Sequence, residues 1–191
     1  MMRLELHPLI VAAAGGELPE WAQVRPARMP HLASVANLLA RWATELGLDE
    51  HDHTRWAAAG WLHDSLRDAA AGTLAADARD YPEPVRHAPA AAERLRAEGV
   101  ADGELLDAIR YHPLGNRGLG PLGRYLYLAD YLEPTRPFAP AENAALRARL
   151  PHRPEPALKR VCALRIAETL RRGMPLRYET VAFWNELQEG E

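Results

Sequence analysis

Apolar residues recur along this chain at intervals of three and four, the spacing of one helix face. After Pro30, the positions Leu32, Val35, Ala36, Leu39, Trp42, Ala43 and Leu46 form such a stripe, and Gly47 ends it as a C-terminal cap does. A second helix is predicted to open near Asp49, with Trp56, Ala59, Gly60 and His63 on one face. Tyr81-Pro82-Glu83-Pro84 interrupts the chain before a third helix, which carries Val85, Ala88 and Leu95 and stops at Gly99. A fourth spans about 102–111, up to Pro113 and several glycines, and a fifth spans 122–132, closed by Pro134. Two more are predicted near 155–172 and 178–187, with proline-rich joints at 134–140 and 151–156. Alternating strand patterns are nearly absent, while Ala, Leu, Arg and Glu dominate, so the expected fold is an all-α, single-domain bundle. There is no internal repeat, and the short alanine-rich stretch 69–78 carries charges.

Bulk properties narrow this picture. With 191 residues, 48% of them hydrophobic, the chain can bury a real core and is not a disordered segment. A formal charge of -3 gives no overall basic field to draw in nucleic acid. The C-terminal region is locally basic, through Arg153, Lys159, Arg160, Arg165, Arg171, Arg172 and Arg177. It reads as a solvated face balanced by Glu155, Glu168 and Glu179, without the aromatic pattern of single-strand binding. The lone Cys162 excludes an internal disulfide and fits a reducing compartment. No apolar run is long enough to span a membrane, and the apolar stretch 8–16 is short and interrupted in front by Glu5 and His7, so a cytoplasmic protein is expected. Helical surfaces could support a homodimer, but no interface is legible.

The chemistry lies in four histidines and two aspartates, four of the six on stretches that otherwise read as core. His31, the adjacent His63-Asp64, His87, His112 and Asp130 each fall in or at the end of a different predicted helix. Taken singly, each has a plain explanation. A lone histidine is more often a hydrogen-bonded core or capping residue than a ligand, and the dipeptide could be a surface pair. Asp130, among Tyr125-Leu126-Tyr127-Leu128-Ala129 and Tyr131-Leu132, needs a cation or strong donors if buried. A salt bridge to Arg124 or Arg136 would serve as well as an ion. Taken together, imidazoles and carboxylates are the donors that hold one or two borderline-hard ions, with Fe, Mn, Co, Ni or Zn favoured over Mg. A carboxylate such as Asp64 can bridge two ions, and two ions about 3.5–4 Å apart stabilise both the attacking and the leaving oxygen of a phosphoryl displacement. The expectation is a metal-dependent hydrolase. No serine or cysteine nucleophile arrangement competes, and the glycine-rich 115–123 lacks the lysine and preceding strand of a phosphate loop. His7, His51, His53 and His152 sit in polar or terminal segments and read as solvated.

Order and context also match a known pattern. Arg28-Met29-Pro30-His31 with Val35, then Gly60-Trp61-Leu62-His63-Asp64, resemble the opening motifs of the HD-domain phosphohydrolase superfamily. His87-Ala88-Pro89, Ala108-Ile109-Arg110-Tyr111-His112 and Tyr127-Leu128-Ala129-Asp130-Tyr131-Leu132-Glu133-Pro134 narrow the resemblance to its symmetrical bis(5′-nucleosyl)-tetraphosphatases. The likeness runs over about 18–190, leaving 1–17 as an N-terminal segment. It implies a helical HD fold with a dinuclear metal site at the helix ends, iron being the expected metal. The implied ligands are His31, His63, Asp64, His87, His112 and Asp130, with Asp64 bridging. The implied reaction is cleavage of diadenosine tetraphosphate in the middle, by a metal-bound hydroxide, to two ADP. Arg136 matches a family arginine expected near the phosphates.

Two positions depart from the family pattern. Arg67-Asp68 stand where the family usually shows Lys-Asp. Arg67 remains a candidate phosphate ligand with a forked geometry, and Asp68 a candidate for proton transfer or for orienting Arg67. Pro113-Leu114-Gly115 follow His112 where two threonines are common, and Arg117 in the same loop is the candidate to compensate. That departure keeps open a second reading, an HD phosphohydrolase for another nucleotide such as a nucleoside monophosphate or an alarmone. A non-catalytic helical binding module on the same scaffold is the reading from a different class, and retention of all six ligand positions weighs against it.

Overall fold

Prolines at helix starts and glycines at helix ends divide the chain much as its apolar pattern predicts. The computed structural model describes residues 5–70 and 80–189, so most of the alanine-rich stretch 69–78 lies outside the described residues. Among the described residues there are nine α-helices and no strand. They are α1 (Pro8–Ala14), α2 (Met29–Glu45), α3 (Glu50–Leu62), α4 (His87–Ala97), α5 (Gly103–Tyr111), α6 (Pro121–Leu132), α7 (Pro140–Arg147), α8 (Pro154–Arg171) and α9 (Tyr178–Glu189). No helix among them is long and apolar enough to cross a membrane.

The core is built around α6. Leu122, Tyr125, Leu126, Tyr127, Leu128, Ala129, Asp130 and Leu132 are all buried, so this helix is covered around its whole circumference. Helices α2, α3, α5, α7 and α8 supply the cover. Trp42 of α2 and Trp56 of α3 close on the Tyr125 ring at centroid distances of 5.7 and 4.9 Å. The two long N-terminal helices meet at Gly60, where an added Cβ would lie 2.6 Å from the Ala36 backbone nitrogen. Arg55 of α3 donates to Asp102, the N-cap of α5, at 2.5 and 2.8 Å, which ties the two helices together.

Two short helices escape the periodic reading. α1, seven residues long, buries Ile10 and Ala13 and packs on α3. α7 follows a left-handed Ala139 (φ 45°), begins at Pro140 and buries only Asn143. Two turns are too few to show a stripe. A third difference matters for the site: Glu83–Val85 forms a 3-10 turn, so α4 starts at His87 itself rather than upstream of Val85.

Candidate metal centre

Five helix ends converge on one point. His31 is the third residue of α2; His63 and His112 immediately follow α3 and α5; His87 opens α4; Asp130 lies in the last turn of α6. Asp64 stands two residues beyond the end of α3. Within a helix, consecutive side chains diverge by about 100°, but the helix stops at Leu62, and both His63 and Asp64 turn inward. His63, Asp64, His87, His112 and Asp130 are buried, and His31 is nearly so, with 12% of its side chain exposed.

Ligand atoms fall into two groups that share Asp64. His31, His63 and Asp64 form one and Asp64, His87 and His112 the other, with the donor atoms of each within 4.8 Å of one another. Asp64 Oδ1 lies 3.0 Å from His87 Nε2 and 3.6 Å from His112 Nε2. Its Oδ2 is 3.9 Å from both His31 Nε2 and His63 Nε2. Asp130 Oδ1 joins the first group, 3.3 Å from His31 Nε2 and 3.8 Å from His63 Nε2. A third cluster, Asp49, His51 and Asp52, sits at the start of α3, where Asp49 caps the helix.

Hydrogen-bond partners set the tautomers. His63 Nδ1 and His112 Nδ1 each lie 2.8 Å from a backbone carbonyl, of Gly60 and Ile109. A carbonyl can only accept, so both rings carry the proton on Nδ1 and turn a bare Nε2 into the cluster when neutral. His31 Nδ1 faces the Glu133 carboxylate at 3.1 Å, the carboxylate–histidine arrangement that orients metal-binding imidazoles. The inward nitrogens are close: His31 Nε2 to His63 Nε2 is 3.3 Å, and His87 Nε2 to His112 Nε2 is 3.4 Å. Two lone pairs at that range repel unless a proton or a cation stands between them, so the donor set fits metal ions. His87 is the exception, since its Nδ1 lies 3.3 Å from Arg67 Nη1, a donor. To offer Nε2 to an ion, His87 needs Arg67 to let go.

Charges follow this geometry. Burial pushes the His63 imidazole down to about 4, so it is neutral near pH 7. Burial also works against charge on His31 and on Asp130. Their mutual hydrogen bond, helped by Glu133 for the imidazole and by Arg165 and Arg136 for the carboxylate, outweighs it. His31 is therefore raised, and Asp130 is held well below the usual carboxylate range.

The remaining candidates are distributed unevenly. Arg136 Nη2 donates to Asp130 Oδ1 at 2.6 Å, whereas Arg124 pairs with Glu186 of α9 instead. Arg67 donates to the Pro84 carbonyl at 2.7 Å. Asp68 does not orient Arg67; it binds Arg25 and Arg28, with Arg28 Nε at 3.0 Å and Nη2 at 3.1 Å. The Arg28 hydrogen bond, with Arg25 behind it, outweighs burial and keeps Asp68 far below the ordinary carboxylate value, which makes it a poor base. Arg117 is drawn away altogether, 59% exposed and paired with Glu189 at 2.8 Å. Its loop packs on α9, where a Cβ at Gly115 (φ 71°) would collide with Phe183.

Sequence reasoning passed over three side chains at the centre. Arg28 bridges Asp68 and Asp64, reaching Asp64 Oδ2 at 3.4 Å. Glu133 left a signal, because an acid at a helix C-terminus opposes the helix dipole and needs another reason to be there. So did Arg165, which continues the buried stripe Leu158, Val161, Cys162 rather than joining the solvated face. Arg160, Arg171 and Arg172 do lie on that face, paired with Glu142 and Glu168.

Two clefts open onto the cluster and meet at Arg25 and Arg28. One, of about 350 Å³, is lined by Arg67, Asp68, Arg86 and His87. The other, of about 420 Å³, is lined by His31, Glu133, Thr135 and Arg136.

A helical bundle whose helix ends bring His-Asp pairs together is the architecture of HD domains, and a family model described as HD domain matches residues 28–135. The chain belongs to that family. It is 31% identical over 126 residues to a symmetrical bis(5′-nucleosyl)-tetraphosphatase of Bacillus subtilis (strain 168), covering 61% of this chain and 66% of the relative. A protein of the same name from Halalkalibacterium halodurans is 32% identical over 108 residues, 56% of this chain and 57% of the relative. The chain thus spans somewhat less than two thirds of the length of either. The crystal structure of a predicted HD superfamily hydrolase involved in NAD metabolism, from Clostridium acetobutylicum, shares the fold. It superposes with a TM-score of 0.73 at 23% identity, over 95% of this chain and 96% of that one.

Proposed function

We propose that this chain is a metal-dependent phosphohydrolase that cleaves a dinucleoside tetraphosphate, diadenosine tetraphosphate in the first place, symmetrically into two nucleoside diphosphates. The observation that carries this reading is the position of Asp64, one oxygen toward His87 and His112 and the other toward His31 and His63. His31, His63, Asp64 and Asp130 would hold one ion, and Asp64, His87 and His112 the second. Two transition-metal ions, iron foremost, would supply an activated water and polarise the phosphoryl oxygens.

The protein's own groups do the rest. A departing nucleoside diphosphate leaves as an anion, so it needs positive charge rather than a proton. Arg28 lines both clefts and sits 3.4 Å from Asp64, held by Asp68, which makes it the fixed guanidinium placed to serve either cleft beside the bridging carboxylate. Arg67 and Arg86 would hold phosphates in one cleft and Arg136 in the other. A cut in the middle of a tetraphosphate requires room for equal halves on either side, and two clefts of similar volume flank the cluster. The relatives' printed name supports the same substrate. Pro113 and Leu114, which offer no side-chain hydroxyl, favour as second reading the same hydrolysis on another nucleotide.

The test is product analysis after incubating iron- or manganese-loaded protein with diadenosine tetraphosphate. ADP as sole product is expected. ATP plus AMP would overturn symmetrical cleavage, and no turnover by metal-loaded protein would favour the second reading. Asp64→Ala is expected to lose both ions and all turnover while keeping its helical spectrum.

A further inference from the structure

Arg165 belongs to α8, outside the segment matched by the HD family model, yet its guanidinium reaches the metal cluster. Nη2 donates to Asp130 Oδ2 at 2.9 Å, and Nη1 to the Pro113 carbonyl at 3.3 Å. Its plane lies against Tyr127 and Tyr131, at 4.7 and 5.3 Å from their ring centroids. The side chain is only 20% exposed. With a longer contact from Nη2 to the Tyr127 carbonyl at 3.5 Å, three acceptors and two aromatic rings fix the fork, and Asp130 and Pro113 connect it to different histidine groups. Asp130 belongs to the His31–His63 group, while Pro113 directly follows His112 of the other.

Resting on the two-ion reading above, we infer that Arg165 is a positioning residue for the metal centre. It occupies Oδ2 of Asp130, so this carboxylate turns Oδ1 alone toward the His31–His63 group. The same guanidinium holds the backbone that carries His112. The division of oxygens is explicit in the distances, with His31 Nε2 at 3.3 Å from Oδ1 and Arg165 at 2.9 Å from Oδ2. Without the fork, Oδ2 of Asp130 is released while Arg136 still holds Oδ1 at 2.6 Å, so the carboxylate can turn about that anchor and bring its second oxygen toward an ion. An ammonium in this place keeps the charge but cannot serve Asp130 and Pro113 while stacking on two rings.

The experiment compares wild type, Arg165→Lys and Arg165→Met by chelator competition with Co²⁺, together with metal content and the visible spectrum of the cobalt-loaded protein. Metal-free melting curves are recorded in parallel. Both variants are expected to fold without metal and to bind one of the two ions about tenfold or more weakly, the scale of losing an outer-sphere partner. The cobalt spectrum should change because the Asp130 coordination changes, which a purely structural residue would not cause. Wild-type affinity and spectrum in both variants would overturn the inference. Failure of both to fold without metal would also overturn it, by making Arg165 a packing residue. If wild type itself binds no metal, the two-ion reading fails instead, so the two failures are distinct.

Discussion

Glu133 shows how much one side chain can decide. It is 1% exposed, accepts from Thr135 N and Oγ1 at 2.7 Å each, and presents Oε1 to His31 Nδ1. The imidazole is thereby turned with Nε2 toward Asp64 and Asp130. Glu133→Gln keeps the shape but removes the charge, and metal affinity is expected to fall about tenfold. Isothermal titration with Mn²⁺ checks this, and unchanged affinity would mean that His31 is held by packing alone. At this scale the sequence was informative about identities. His31, His63, Asp64, His87, His112 and Asp130 stand out because four of the six lie on otherwise apolar stretches and all fall in or at the ends of predicted helices, and the structure gathers all six at one place. Partners were less legible. Asp68 beside Arg67 in sequence turns to Arg28, forty residues away, because a turn after α3 sends the two side chains in different directions.

Between elements, close approach and a few polar ties hold the helix ends together. Gly60 lets α3 lie against Ala36 of α2, the two helices that carry His63 and His31. Gly60→Ala is expected to cost about 3 kcal/mol by overpacking, measured by urea unfolding, and to weaken metal binding by parting the two histidines. A cost under about 0.5 kcal/mol would show that the helices separate freely. The tie between α3 and α5 is electrostatic. Burial favours the protonated form of Asp102, but the hydrogen bonds from Arg55 outweigh it and lower its pKa below the ordinary 3.8. A lowered carboxyl contributes stability that is full above its unfolded value and is lost as pH falls through the folded one. Arg55→Met should therefore destabilise the protein by about 2 kcal/mol at neutral pH. That difference from wild type should shrink below pH 3.8. Melting curves across acid pH test the sign, and a difference that grows on acidification would refute it.

Across the whole molecule, the proposed ligands come from five helices, so ions at the cluster would link elements far apart in the chain. His31 and Glu133 already meet across 102 residues. A ligand that binds only the folded state stabilises it by about 2.7 kcal/mol at a hundredfold excess over its Kd. Loading with Mn²⁺ or Fe²⁺ is expected to raise the melting temperature, and a chelator to reverse this without loss of helicity. No shift on loading would count against the site. Beyond the HD segment, α8 and α9 brace this arrangement through Val161, Cys162 and Phe183, with Phe183 edge-on to Tyr127 at 5.3 Å.

By itself, the sequence determined the helices and the chemical character of the centre. Periodic burial needs only local spacing, and a polar side chain on an apolar stripe must find a partner wherever the chain folds. The two-turn helices α1 and α7 stayed hidden because so few residues carry no periodic signal. Tertiary structure alone decided the rest: that Asp64 divides its oxygens between two histidine groups, that Arg117 turns out to Glu189, and that Arg165 turns in to Asp130. These outcomes depend on distances between atoms far apart in sequence, where a shift of a few ångströms exchanges one partner for another.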